Sequence, residues 1–445
     1  MQKVVQLRGS WRDPVGVLSG FADEPWAIAF LSGRSGGRWS FLARHPDQVL
    51  IIRHADPTDP FAALADLRGP AGDHLAGGPP FQGGLAGLAS YELGERIEPT
   101  GRGRPGDWPD LAVGRYPAVL AFDHLHRQIM AIGRGEDEAE ALGRAHQALL
   151  WSQVDPLAQA RGALARGLTE PSSAEYRQAV ASLIAQIHAG DLFQANLAQT
   201  WTAQLAKGVT PFDLLARLIG QSPAPFSGYF RLADRAVVSN SPEQFLGLDH
   251  RGAVSTSPIK GTRPRPDDPA ADAAADAALA RELEASPKDR AENLMIVDLM
   301  RNDLARVCLP GSIEVPELCQ LQTFANVHHL VSTVTGRLRP CTDAFDLLRA
   351  TFPPGSVTGA PKPQAMKVIA TAEPPRGPYC GSLFWAGTDG ALGSSVLIRT
   401  LACQLTLEGW TLEARAGAGV VADSDPAAEA AETRAKISAI LKALA

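Results

Sequence analysis

"GSLFWAG" (381–387), "SSVLIRTLAC" (394–403) and "WTLEARAGAGVV" (410–421) follow one another with short breaks between them. Each is an apolar run bounded by turn residues, the pattern of a β-strand. Just upstream, "FDLLRATF" (345–352) reads as a helix and "PPGSVTGAPKPQ" (353–364) as a loop that feeds another helix. A last helix closes the chain. Strands in series with helices between them point to antiparallel sheet covered by helices.

The same pattern extends toward the N-terminus. "WAIAFLSG" (26–33) is apolar and turn-bounded, and "GRWSFLARHPDQVLIIRH" (37–54) reads as strand, Pro-Asp turn, strand. "AVLAFDHLHRQIMAIGR" (118–134) repeats that logic, and "EDEAEALGRAHQALL" (136–150) is helical. Residues from about 153 to 170 are polar and rich in Ala and Gly, as in a linker. A second block opens with helical periodicity from Ala174 to His188, ended by Gly190, and then a strand. A helix "PFDLLARLIG" (211–220), a strand "FSGYFRL" (226–232) and a hairpin "AVVSNSPEQFLGLD" (236–249) follow. No repeat of solenoid period is present. The expected class is α+β, with an N-terminal region 1–152 and a second region 171–445.

Composition narrows the function. The chain has 445 residues, 45% hydrophobic and 20% charged, ordinary for a globular protein. A net charge of −6 gives no basic footprint for nucleic acid. No apolar run approaches the ~20 residues that span a bilayer, and the N-terminus shows no apolar signal core. The five cysteines, Cys308, Cys319, Cys341, Cys380 and Cys403, include no CxxC pair. A zinc site and a disulfide framework are therefore disfavoured, and a reduced, cytoplasmic protein is expected.

Four stretches carry chemistry. In "SPIKGTRPR" (257–265) Lys260 lies in a segment shaped by prolines. It is a surface charge, an anion clamp or a nucleophile. In "SPKDRAENLMIVDLMRNDL" (286–304) Ser286 is a helix cap, Pro287 takes the first helical position and Asp289 completes a capping box. Glu292 shares a face with Met295, Ile296 and Leu299, so it must be paired with a cation, an Arg or a metal. In "ARAGAGVVADSDPAAEAAETRAK" (414–436) Gly417 and Gly419 allow close approach to the backbone. Glu429, Glu432 and Lys436 then fall on one helix face, either solvated or facing a site. In "NVHHLVST" (326–333) the two histidines face opposite ways if the segment is a strand. "TFPPGSVTGAPK" (351–362) fails the spacing of a phosphate-binding loop. Together these residues suggest a metal-assisted anion site, with Mg²⁺ as the hard cation that needs few protein oxygens.

In order along the chain, "SPEQFL", "PIKGT", "DRAENLMIVDLMRNDL", "HLVST", "FPPGSVTGAPK", "IRT", "AGAGVVADSDP" and "ETRAK" resemble the chorismate-utilising enzymes. The branch they resemble is component I of aminodeoxychorismate synthase, a relative of anthranilate synthase component I. "FLSG", "GGRWSFLARHP" and "GGLAGLASYELG" extend the resemblance toward the N-terminus. It implies a large α/β sandwich of antiparallel sheets with helices outside. Lys260 stands where anthranilate synthases carry alanine, and the resemblance makes it a nucleophile that attacks C2 of chorismate as the C4 hydroxyl leaves. A free lysine has a pKa of ~10.4, so such a role calls for burial or a nearby cation. By the same resemblance Glu243 is the general acid and His329 the site histidine. Glu292 and Glu429 become the Mg²⁺ ligands. Gly261, Thr262, Tyr379, Arg399, Gly417, Gly419 and Lys436 become substrate contacts.

A tryptophan-type pocket is implied at Ser32, Arg38, Trp39, Pro225, Phe226 and Ser227, although Leu31 replaces the acidic residue that precedes the serine. The chain has no glutaminase elbow, so ammonia comes free in solution or from a separate glutamine amidotransferase subunit, component II. Nucleic acid and membrane are not expected partners. Alternatives are an anthranilate synthase, a relative that adds water to make isochorismate or salicylate, and a non-catalytic subunit.

Overall fold

The computed structural model describes residues 2–32, 36–101, 106–156, 160–266, 268, 271–324 and 327–445. Among them, strands form one sheet of twelve and one of ten, with neighbours antiparallel. Both sheets take strands from residues 1–152 and from 171–445, as in the pairings of Ile28–Leu31 with Phe226–Arg231 and of Gly84–Ala89 with Ser382–Gly387. No helix among the described residues is long and apolar enough to cross a membrane.

The sheets face each other across one apolar layer. Ile28, Phe41, Val119 and Phe230 of the larger sheet meet Leu88, Leu383 and Trp385 of the smaller. The strand Ser382–Gly387 shows why both of its faces are apolar. Leu383 and Trp385 point into the sandwich, while Phe384 and Ala386 pack under the outer helices. Burying a side chain of this size contributes about 1.5–3 kcal/mol. At Gly228 a Cβ would stand 2.6 Å from Leu383 Cδ2, so glycine sets the approach of the sheets here. Helices Pro211–Gln221 and Pro426–Leu444 cover the larger sheet, with Leu215 and Ile440 beside Tyr229 and Leu401. Helices Pro287–Ala305 and Ala344–Thr351 cover the smaller, with Ile296 and Phe345 beside Phe245 and Phe384.

Four local expectations are corrected or completed. Residues 37–54 are strand, turn and strand as expected, but the two strands do not pair with each other: Trp39–Ala43 pairs inside the larger sheet, and Gln48–Ile52 inside the smaller. Residues 236–249 divide in the same way, Arg235–Ser241 in the larger sheet and Gln244–Leu248 in the smaller. "SSVLIRTLAC" is two strands, Leu392–Val396 and Thr400–Thr406, again in different sheets. Most of these strands bury both faces, so apolar pattern alone does not say which sheet a strand joins. Strands that change sheets make the corners of such sandwiches. The expected linker also contains a strand, Ala165–Thr169, paired with Gln194–Leu205. Residues 157–159 lie outside the described residues.

Candidate active site

Two of these sheet crossings lie side by side. The Val396 amide donates to the Glu243 carbonyl at 3.1 Å, and Ser241 Oγ donates to the Val396 carbonyl at 2.5 Å. One crossing carries Glu243 and the other Arg399, whose φ is +52°. That left-handed conformation is uncommon outside glycine and marks a constrained position. Glu243 is 3% exposed, and its Oε1 accepts from Ser356 Oγ at 2.5 Å. Burial pushes its carboxyl up to about 7, against the opposing pull of the Ser356 hydroxyl, Lys260, the Ile259 amide and Lys436. Such a carboxyl is poised to give a proton near neutrality. Burial also lowers Arg399 to about 10, opposed by Glu243.

Ser356 belongs to the loop after helix Ala344–Thr351. That loop is anchored by Lys362, whose Nζ donates to Asp303 at 2.5 Å and to the Thr351 carbonyl at 2.7 Å, all three residues being buried.

Lys260 lies in strand Ile259–Pro264, which pairs with Val327–Arg337 through a register shift between Ile259 and Thr262. This bulge turns the side chain out of the regular alternation. Gly261 has φ +87°, and a Cβ there would stand 2.9 Å from Leu283 Cδ1 and 3.0 Å from Asp289 Cβ. The lysine therefore depends on glycine beside it. A Cβ at Gly419 would stand 2.9 Å from Lys260 Nζ and 2.5 Å from Gln194 Nε2, so these groups share one space. The Ser286 cap forms as expected on the Asp289 amide, but the reciprocal half of the box is replaced. The Asp289 carboxylate pairs with Arg263 at 3.2 Å, because that guanidinium on the neighbouring strand is a stronger partner than a backbone amide.

The two histidines do face opposite ways. His328 Nε2 meets Asp276 at 2.9 Å, while His329 Nδ1 meets Thr262 Oγ1 at 2.8 Å. Burial pushes His329 down to about 3, helped by the positive charges of Arg399 and Lys436. It is a neutral imidazole at pH 7, and its buried Nε2 has no hydrogen-bond partner among the described residues.

Gln194 and Asn196 were not anticipated from sequence. They lie two apart in strand Gln194–Leu205, on the face opposite Ala195 and Leu197, which pack beneath the helices. Gln194 Oε1 and Nε2 and Asn196 Oδ1 are buried without a partner among the described residues. A Cβ at Gly417 would stand 2.2 Å from Asn196 Oδ1 and 2.9 Å from the Tyr379 hydroxyl, and Lys436 Nζ donates to the Gly417 carbonyl at 2.9 Å. The signal was two polar residues alternating with apolar ones in "QANL". Buried polar atoms without partners are costly, and several converging on one space call for a polar ligand.

The carboxylates gather at one edge of this space. Glu292 comes from helix Pro287–Ala305, and Glu429 and Glu432 come from helix Pro426–Leu444. Lys288 Nζ lies 3.4 Å from Glu429 Oε1 and 3.9 Å from Glu292 Oε1. The partner of Glu292 is thus a lysine, not an arginine. Burial raises the Glu292 pKa, with Lys260 and Lys288 opposing it. Glu432 pairs with Lys436 at 2.6 Å, and that charge holds its pKa below the usual value despite burial. Among the described residues no three Asp, Glu, His or Cys side chains form a metal cluster. Two carboxylates bracketing one cation nonetheless fit Mg²⁺, which takes one or two protein carboxylates and completes its shell with water and substrate oxygens.

The residues of the expected tryptophan-type pocket are divided. Ser32 and Ser227 line a cavity of about 230 Å³ with Trp11, His124 and Arg127. Arg38 instead binds Asp123 at 2.8 Å, and the Trp39 ring stacks on Phe41. Pro225 and Phe226 do not line the cavity, although they lead into the strand that carries Ser227.

The sequence and the fold match known proteins over nearly their whole length. Residues 27–442 match the chorismate binding enzyme family. An aminodeoxychorismate synthase component 1 from Klebsiella aerogenes is 39% identical over 453 residues, covering 96% of this chain and 95% of the relative. An anthranilate synthase component 1 from Streptomyces coelicolor is 37% identical, covering 92% and 82%. The crystal structure of anthranilate synthase component I from Streptococcus pneumoniae superposes with a TM-score of 0.78 at 27% identity, covering 91% of this chain and 92% of that one. A buried acid, a lysine on a bulge and a polar space between two sheets thus lie within a fold shared along its length, and the chain belongs to the chorismate binding enzymes.

Proposed function

We propose that the chain is component I of an aminodeoxychorismate synthase, which replaces the C4 hydroxyl of chorismate with an amino group. The observation that carries this is Lys260, held on a bulge beside Gly419 and Gln194 and acting on both Glu243 and Glu292. The Lys260 amine attacks C2, the ring double bonds shift, and the C4–O bond breaks as Glu243 gives its proton to the leaving hydroxyl. Water departs. Ammonia then attacks C4, the double bonds shift back, and the C2–N bond to Lys260 breaks. The enolpyruvyl group is retained in 4-amino-4-deoxychorismate, a precursor of 4-aminobenzoate and folate.

The remaining residues bind and orient. Arg399 suits bidentate capture of a carboxylate, and Lys436 supplies a point charge. Neutral His329 fixes the ring or polarises the C4 hydroxyl. Glu292 and Glu429 would hold Mg²⁺, which supplies positive charge for a substrate carboxylate. Thr262 and Tyr379 border the ring, and Gly261, Gly417 and Gly419 leave room for it. Ammonia comes from glutamine through a partner amidotransferase. The cavity at Ser32 and Ser227 is the tryptophan-type pocket, with Trp11 and Arg127 added to its wall.

Lys260→Ala tests the assignment. It should abolish aminodeoxychorismate formation and leave the fold unchanged by circular dichroism. Wild-type enzyme given chorismate and Mg²⁺ without ammonia should gain the mass of chorismate less one water, on the peptide that holds Lys260. Undiminished aminodeoxychorismate from the alanine variant would overturn the covalent role.

A further inference from the structure

Lys288 has no part in the reaction just described, yet it is the cation nearest the two carboxylates assigned to the metal. It lies in the first turn of helix Pro287–Ala305, one turn before Glu292. Its Nζ is 3.4 Å from Glu429 Oε1 and 3.9 Å from Glu292 Oε1, although these residues sit on different helices. The carboxylates are enclosed, with side chains 3% and 15% exposed, whereas the Lys288 side chain is 51% exposed. One end of this lysine thus reaches solvent while the other reaches both acids.

Two carboxylates facing one enclosed space repel each other and need a cation between them. An ammonium on a four-carbon stem can supply it and can also leave. Mg²⁺ binds oxygen at about 2.0–2.1 Å. Bound to Glu429 Oε1, it could stand no more than about 5–6 Å from the present position of Lys288 Nζ. At that range three positive charges would share one enclosed site, so the mobile one is displaced.

We propose that Lys288 is a built-in counter-cation. It holds Glu292 and Glu429 together when no divalent ion is bound, and it swings into solvent when one binds. Metal affinity is then set by competition with the chain's own lysine. This inference rests on the assignment of Glu292 and Glu429 as the metal ligands.

The test is direct metal binding by the full-length chain without chorismate, with Mn²⁺ as the probe and isothermal titration calorimetry as the readout. Lys288→Met keeps the length of the stem and removes the charge, and the charge of Lys260 still acts on Glu292. Partly exposed ion pairs are weak, so the variant should bind Mn²⁺ about five- to tenfold more tightly than the native chain. Its melting temperature without metal should be lower, and the rise on adding Mn²⁺ larger. Lys288→Arg, which keeps the cation, should bind like the native chain. Equal or weaker binding by Lys288→Met, with normal binding by the native chain, would overturn the counter-cation role and leave the ligand assignment standing. No binding by any of the three proteins would remove both.

Discussion

Ser356→Ala should shift the pH dependence of the reaction. Its hydroxyl donates to Glu243 Oε1 at 2.5 Å, inside a site where both residues are buried. A general acid works only while protonated, so activity falls as pH rises through its pKa. For Glu243 that point is about 7, raised by burial and held back by Ser356, Lys260, Ile259 and Lys436. Arg399 also faces this carboxyl. A hydrogen bond to a charged group contributes about 1.5–3 kcal/mol, and one pH unit corresponds to about 1.4 kcal/mol. The protonated carboxyl accepts the same bond more weakly, so the difference between the two states is smaller, about one pH unit. Removing the hydroxyl destabilises the carboxylate, and the alkaline limb should therefore move up by about that amount. The maximal rate should fall as well, since Oε1 is no longer held and Oε2 no longer aimed. The assay is chorismate consumption from pH 6 to 9 at constant free ammonia, with native and variant enzymes side by side. Bound substrate anion raises the limb in both, so the comparison isolates Ser356. A limb that stays in place or moves down would refute Glu243 as the titrating acid.

Gly419→Ala places a Cβ 2.5 Å from Gln194 Nε2 and 2.9 Å from Lys260 Nζ. It should lower kcat about a hundredfold through misplacement of the nucleophile, with little change in the urea midpoint. Lys362→Met leaves Asp303 buried without its partner and should cost about 3–5 kcal/mol in urea unfolding, most of it recovered in Lys362→Met with Asp303→Leu. The folded pKa of Glu243 lies above its unfolded value, so its favourable contribution is full at pH 4 and is lost as pH rises through about 7. Glu243→Gln should therefore gain thermal stability over the native chain at pH 8 relative to pH 5. No pH-dependent difference would mean that the carboxyl ionises as freely in the fold as in the unfolded chain, and the opposite ordering that the fold favours its charged form.

Local chemistry was legible where a residue acts on its neighbours in sequence. Pro287 after Ser286 and Pro426 after Asp425 announce helix starts, and both form with the expected caps. Alternating His328 and His329 face opposite ways, as any strand requires. The crossings between sheets were not legible. Nothing near Glu243 or Arg399 distinguishes a continuing strand from one that changes sheets, because on each side of the crossing one of the strand's partners lies over a hundred residues away. Gln194 and Asn196 were missed for a related reason. A buried polar residue looks ordinary in sequence until the strand opposite is seen to present Gly417 and Gly419.

The most direct measurement is product analysis. The purified chain would be mixed with chorismate, Mg²⁺ and ammonium salt at mildly basic pH, and the products separated by liquid chromatography with mass detection. Aminodeoxychorismate without pyruvate is the expected result. Anthranilate with pyruvate would contradict it, and Lys260 would then not be the residue that selects the reaction.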